Sequence, residues 1–111
     1  DLPEALRFIF EMPSYDKELL RWKTMKGEDE IKEALSKVAD VLSSMSEGEW
    51  TQDNIALKIK EIAEGDNGRY FWPMRVALSG HEKSPGPQEI AEVLGKTNTL
   101  KRIDEAKNLL G

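Results

Sequence analysis

The chain has 111 residues, with 16 Lys and Arg, 21 Asp and Glu, and a formal net charge of -5 at pH 7. A chain of this length can form a hydrophobic core without a metal or disulfide staple. It contains no Cys, which excludes a disulfide framework and a thiolate metal site and favours a reducing, cytoplasmic location. The acidic balance argues against a non-specific nucleic-acid binder, because such proteins neutralise phosphates with surplus Lys and Arg.

The chain lacks the features of a membrane or secreted protein. No apolar run approaches the roughly 20 residues needed to cross a bilayer, and the N-terminus has neither the charged start nor the apolar stretch of a signal peptide. We therefore expect no membrane association. The chain begins with Asp1 rather than Met, so we expect it to be a piece of a longer protein.

Helical periodicity dominates the chain, and no segment alternates strictly as a half-buried strand does. The sequence predicts an all-α fold, a compact helical bundle or cage of about six to seven short helices. The first helix is expected over residues 1–10, capped by Asp1 and interrupted by Pro13. A second, short helix is expected over residues 16–25 and ends before Gly27.

The third helix has the clearest pattern, because its apolar residues recur at spacings of three and four and so share one face. These residues are Ile31, Ala34, Leu35, Val38, Leu42 and Met45. Thr51 is well placed to cap a fourth helix that runs to about residue 64. Its apolar stripe consists of Ile55, Ile59 and Ile62.

A turn signal, Gly65-Asp66-Asn67-Gly68, coincides with a change in charge balance. Residues 1–65 carry 9 basic and 15 acidic side chains, net -6, whereas residues 66–111 carry 7 and 6, net +1. We therefore predict an N-terminal helical part over 1–65 and a C-terminal helical part over 66–111, as one compact unit or two sub-domains. Any RNA contact should favour the second part.

The sequence also predicts helices in the second part, residues 66–111. Pro73 is expected in the first turn of a helix that Gly80 ends. Residues 81–87 are predicted as a loop stiffened by its prolines. Two further helices are predicted over residues 88–94 and 99–110.

Side chains suited to catalysis are scarce. The only His, His81, lies in a predicted loop and has no Cys partner, so a nucleophilic dyad or a His-based metal site has little support. No glycine-rich phosphate loop of the Walker or dinucleotide type is present. We therefore expect neither independent catalysis nor a metal site in this chain.

Basic and aromatic side chains are interleaved in the second part, ahead of a proline-rich loop. The residues are Arg69, Tyr70, Phe71, Trp72, Arg75 and Lys83, followed by Ser84-Pro85-Gly86-Pro87. This chemistry suits single-stranded RNA, whose splayed bases stack on aromatic or guanidinium planes, and a stiff loop loses little entropy on binding. The alternative is that the aromatic residues are core and the prolines only shape a loop.

Several short motifs follow one another in a defined order. They are Tyr15-Asp16, Leu19-Leu20, Trp22-Lys23, Pro73-Met74-Arg75-Val76-Ala77-Leu78-Ser79-Gly80, Ser84-Pro85-Gly86, Leu94-Gly95-Lys96, Leu100 and Arg102. In order and spacing they resemble the C-terminal part of bacterial-type glutamyl-tRNA synthetases, where the central stretches read Pro-Leu-Arg-x-Ala-Leu-Thr-Gly and Ser/Thr-Pro-Gly. The resemblance covers most of the chain.

The resemblance implies an all-helical anticodon-binding domain, attached in that family to a catalytic domain that activates glutamate with ATP and magnesium and transfers it to tRNA. The catalytic signatures of the family are absent here, so the resemblance implies binding without catalysis and no cofactor in this piece. The expected partners are the anticodon loop of tRNA-Glu and the catalytic domain of the parent chain, and we expect a monomer. The alternative is a helical scaffold or protein-interaction domain without RNA binding.

The resemblance also nominates residues. By analogy with the family, Arg75, Ser84, Pro85 and Pro87 contact the first two anticodon bases. Pro87 stands where the family often has a Leu-like residue, and Met74 replaces a Leu. The family's contact to the third base aligns just before Asp1. Secondary RNA-binding candidates are Arg69, Trp72, Lys83 and Lys96.

Overall fold

A computed structural model describes residues 13–111, and every regular element in this range is helical. The α-helices are α1 (Glu28–Ser43), α2 (Gln52–Ala63), α3 (Gly68–Ser79), α4 (Pro87–Leu94) and α5 (Lys96–Leu109). Short 3-10 turns occur at Lys17–Leu20 and Glu47–Glu49. The all-α prediction is confirmed, with slightly fewer helices in the described range than the six to seven expected. The helix predicted over residues 1–10 lies outside the described residues.

Helix α1 forms where the periodicity predicted it, and its apolar face is the buried one. Its first turn carries Glu28, Asp29 and Glu30, whose negative charge favours the exposed N–H groups there. The helix packs against α3 and α5. The amphipathic pattern therefore selects the face that joins the core.

Helix α2 begins as predicted at Thr51, whose hydroxyl accepts a hydrogen bond from the Asn54 amide at 3.3 Å. Ile55 and Ile59 are fully buried. Just before the cap, the buried Trp50 indole donates to the Ala91 carbonyl at 2.9 Å. This bond ties the start of α2 to α4.

The helix predicted over residues 16–25 is wrong beyond its first turn. Asp16 accepts a hydrogen bond from the Glu18 amide at 2.9 Å and caps the 3-10 turn Lys17–Leu20. The backbone is extended at Arg21, and the Trp22 ring lies against Trp72, with 5.5 Å between ring centroids. Packing onto α3 thus overrides the local helical preference.

Helix α3 is central, because it packs against the other four α-helices and the turn Lys17–Leu20. It begins at Gly68, so the prediction that Pro73 occupies a first turn is wrong. Pro73 cannot donate to the Arg69 carbonyl one turn earlier. Burial of Tyr70 and Met74 on the same helix offsets that loss. Gly80 ends the helix as predicted.

Helices α4 and α5 follow one another without a linker. Gly95 is the C-terminal cap of α4 and the N-terminal cap of α5, and its φ of 85° is a conformation that favours glycine. Helix α5 therefore starts at Lys96, three residues before the predicted start. Within residues 13–111, none of the helices combines the length and apolar content that crossing a membrane requires.

Candidate nucleic-acid interface

Two of the nominated residues, Trp72 and Arg75, lie on one face of α3. Residues spaced by three or four positions share a helix face. On α3 such a row consists of Gly68, Trp72, Arg75 and Ser79. The two ends of this row are built differently, and we call them the aromatic end (Trp22, Gly68 and Trp72) and the loop end (Arg75, Ser79 and residues 81–86).

At the aromatic end, the rings of Trp22 and Trp72 hold residues 19–22 against α3. A Cβ at Gly68 would overlap the Trp22 ring, so only glycine allows this approach. The Trp72 indole donates to the Leu19 carbonyl at 2.9 Å. Lys23 lies over the Trp22 ring, 5.1 Å from its centroid. Trp72, a secondary RNA-binding candidate, therefore has an anchoring contact within the fold.

At the loop end, the Arg75 guanidinium donates to the Ser84 carbonyl at 2.8 Å. The Ser84 hydroxyl donates to the Pro85 carbonyl at 2.9 Å. All three residues are half-buried. Three of the four nominated residues are thus connected by direct hydrogen bonds, although they come from a helix and a separate loop.

The fourth nominated residue, Pro87, is the first residue of α4 and is buried. Proline suits this position because its missing N–H would have no partner there and its φ matches a helix. In the loop that precedes α4, His81, Glu82 and Lys83 are exposed. Lys83 is therefore the secondary candidate that faces solvent, whereas Pro87 contributes to the shape of the loop.

Two other secondary candidates have partners within the fold. Arg69 forms an ion pair with Glu30 at 2.9 Å. The hydrogen bond from Arg69 and one from the Lys26 backbone hold the pKa of Glu30 below its usual range. Lys96 donates to the Met45 carbonyl at 2.6 Å. These cations link separate elements of the chain.

Sequence reasoning assigned no role to two buried polar side chains, Ser79 at the end of α3 and Arg102 on α5. The Ser79 hydroxyl donates to the Arg75 carbonyl at 2.8 Å and accepts from the His81 amide at 3.1 Å. The Arg102 guanidinium donates to the Leu78 carbonyl at 2.6 Å, and burial lowers its pKa. Arg102 precedes Ile103 on the buried side of α5. A cation within an apolar stripe was the available signal for such a contact.

A cleft of about 360 Å³ opens elsewhere, beside Ala77 on the opposite side of α3 from Arg75. Its lining is Pro13, Tyr15, Ala77, Arg102, Glu105, Asn108 and Leu109. Burial and the nearby Glu105 carboxylate raise the pKa of Tyr15 to about 12, so the phenol stays protonated at neutral pH. Among the described residues, no group of three or more His, Cys, Asp and Glu could hold a metal ion.

Comparison with known proteins gives consistent results. A family model described as an anticodon binding domain matches residues 1–107. A glutamate–tRNA ligase of Clostridium tetani is 42% identical over 107 residues, covering 93% of this chain and 22% of that protein. One of Clostridium botulinum (strain Eklund 17B) is 35% identical over 115 residues, covering 99% of this chain and 24% of that protein.

A solved structure also matches. The crystal structure of a glutamate tRNA ligase from Elizabethkingia meningosepticum, in complex with its amino acid, superimposes with a TM-score of 0.76 at 26% identity. The match covers 95% of this chain and 20% of that chain. The present chain thus spans less than a quarter of the length of these relatives.

Proposed function

The chain belongs to the anticodon-binding domain family of glutamate–tRNA ligases, and on that premise we propose that it binds the anticodon loop of tRNA-Glu through the loop end of α3. Arg75, Ser84 and Pro85 form the contact surface in this proposal. Pro87 holds the loop in shape from its buried position. Lys83 lies at the solvent-facing edge, where it adds charge for the phosphate backbone.

The hydrogen bond from Arg75 to the Ser84 carbonyl carries the proposal. It joins the helix and the loop into one surface through a contact within the chain itself. A guanidinium has five N–H donors in a planar fork, so bonding one carbonyl leaves others for the edge of a base. A prearranged surface loses less conformational entropy when a flexible anticodon loop binds.

The alternative, a helical scaffold without RNA binding, would be supported by burial of Arg75 against a carboxylate. Arg75 instead bonds a backbone carbonyl and is half-buried. The ion-paired arginine on α3 is Arg69, which lies six residues away. Together with membership of the family, this contact favours RNA binding over the scaffold.

The activity of the whole protein is a further part of the proposal. The relatives are glutamate–tRNA ligases several times longer than this chain. We therefore propose that this domain positions tRNA-Glu for a catalytic domain of the same parent chain. ATP and magnesium would act in that catalytic domain.

The test is a titration of the 111-residue chain with the anticodon stem-loop of tRNA-Glu. Arg75→Ala should weaken binding by about 1 to 3 kcal/mol, because a base contact is lost. Its melting temperature should change little, since substitutions near the surface usually have small effects. Arg21→Ala is the matched control, because Arg21 is an exposed arginine whose partner is Glu18 on its own segment.

Base dependence separates a specific contact from a charge contact. Stem-loops with altered first and second anticodon bases should bind the native chain more weakly, and Arg75→Ala should reduce that difference. A uniform loss across all stem-loops would assign Arg75 to phosphate alone. A failure of the native chain to bind any of them would contradict the proposed function.

A further inference from the structure

The end of α3 contains a hydroxyl that connects Arg75 to its loop. Ser79 is 5% exposed, and its hydroxyl donates to the Arg75 carbonyl while it accepts from the His81 amide. His81 is the first residue after the Gly80 cap, where the loop begins. The buried Ser79 hydroxyl therefore holds the beginning of the loop against the helical turn that carries Arg75.

The Ser84 contact closes this arrangement. The chain leaves α3 at Gly80, passes through the loop, and returns to Arg75 at the Ser84 carbonyl, 2.8 Å from the guanidinium. The Arg75 backbone is bonded to the beginning of the loop through Ser79, and its side chain is bonded to the end of the loop. A shift at the Ser79–His81 contact would therefore move the Ser84 carbonyl relative to the Arg75 guanidinium.

We propose that Ser79 is a positioning residue for anticodon recognition, acting through Arg75 and the loop rather than by touching RNA. This inference rests on the proposed function and extends it to a buried residue. Without the hydroxyl, the hydrogen bond from the His81 amide to Ser79 is lost and the loop samples more conformations. RNA binding then has to order the loop, and the affinity falls.

A double-mutant cycle in the 111-residue chain tests the coupling, with the anticodon stem-loop of tRNA-Glu as the probe. Ser79→Ala should weaken binding by about 5-fold, as expected for the loss of one such hydrogen bond. In the Arg75→Ala background the same change should cost less than about 2-fold, because the contact that Ser79 positions has gone. Measurements at low salt and well below the melting temperatures of all four proteins keep them folded and their binding measurable.

Two further variants separate positioning from a general loss of stability. Ser79→Thr keeps the hydroxyl and should bind nearly as tightly as the native chain. Ser44→Ala is the matched control, since its hydroxyl also donates to a carbonyl at a helix end, that of Val41 at 2.7 Å, but α1 carries no part of the site. It should bind normally.

Amide hydrogen exchange provides an independent readout at His81. The exchange should be faster in Ser79→Ala than in Ser79→Thr, because only Ser79→Ala lacks the hydroxyl that accepts this hydrogen bond. Equal losses of affinity with and without Arg75, or a Ser79→Thr chain as weak as Ser79→Ala, would overturn the inference while the native chain still binds. Absence of binding by the native chain would instead refute the proposed function.

Discussion

The aromatic end and the loop end lie on the same face of α3, and different interactions stabilise them. At the aromatic end, the Trp22 ring packs against the Trp72 ring and against the backbone of Gly68. At the loop end, a hydrogen bond from Arg75 to the Ser84 carbonyl and one from the His81 amide to the Ser79 hydroxyl hold a loop whose residues 81–83 are exposed. Ring packing stabilises by removing apolar surface from water, whereas the polar contacts keep charged donors near solvent.

This difference suggests a division of roles along one helix. Apolar packing has no donor to offer a base and tolerates little change in volume, so the aromatic end should act mainly on stability. The loop end contributes less apolar burial but presents directional donors, so it should act mainly on recognition. Substitutions at the two ends should therefore affect different measurements.

The largest expected effect on folding is at Gly68. A Cβ there overlaps the Trp22 ring, so Gly68→Ala should lower the free energy of unfolding by about 1 to 3 kcal/mol. Helix propensity alone would change it in the opposite direction, by up to about 1 kcal/mol. Thermal melting checks the sign, and Gly48→Ala is the control because nothing lies within 4 Å of its added Cβ.

The folded fraction of Gly68→Ala should bind the stem-loop with nearly the affinity of the native chain. A clear loss of affinity without a drop in melting temperature would show that the aromatic end also takes part in recognition. That result would remove the proposed division of roles.

A smaller effect, on binding alone, is expected at Lys83. This exposed loop residue should contact phosphate, so Lys83→Ala should weaken binding about equally for all stem-loops. The slope of log affinity against log salt should become shallower by about 1. Lys101→Ala, an exposed lysine on α5, is the control and should leave the slope unchanged. If the loss of affinity in Lys83→Ala varied with the anticodon bases, a contact of Lys83 to phosphate alone would be contradicted.

The smallest effect concerns pH and the ion pair beside the aromatic end. Arg69 holds the pKa of Glu30 below its unfolded value of 4.5 in the folded chain. The pair therefore stabilises the fold fully above about pH 4.5, and this contribution is lost as pH falls through the lower folded value. Glu30→Gln should lower the melting temperature slightly at pH 7 and by progressively less in acid.

The control for that experiment is Glu33→Gln, which removes a carboxylate from the same helix but leaves Arg69 paired. If the melting temperatures of Glu30→Gln and the native chain differed by the same amount down to pH 2, the charge of Glu30 would not be the cause of the difference.

Much of the helical framework was determined by the sequence alone, because its signals are local. The apolar spacing of α1, the Thr51 cap and the Gly80 stop each depend on residues within about one or two helical turns. These helix signals appear in the structure where they were predicted. The family motifs also nominated Arg75, Ser84, Pro85 and Pro87 as RNA contacts, and that role stays a prediction.

Only the tertiary structure decided how these pieces meet. The packing of the short turn Lys17–Leu20 onto α3 and the approach of the Trp22 ring to Gly68 join segments that are distant in sequence. The Ser79 bridge and the Arg75 contact to Ser84 depend on a loop path that periodicity does not encode. Local patterns fix which residues face inward, but the partner of a buried polar group is set by the three-dimensional arrangement of the chain.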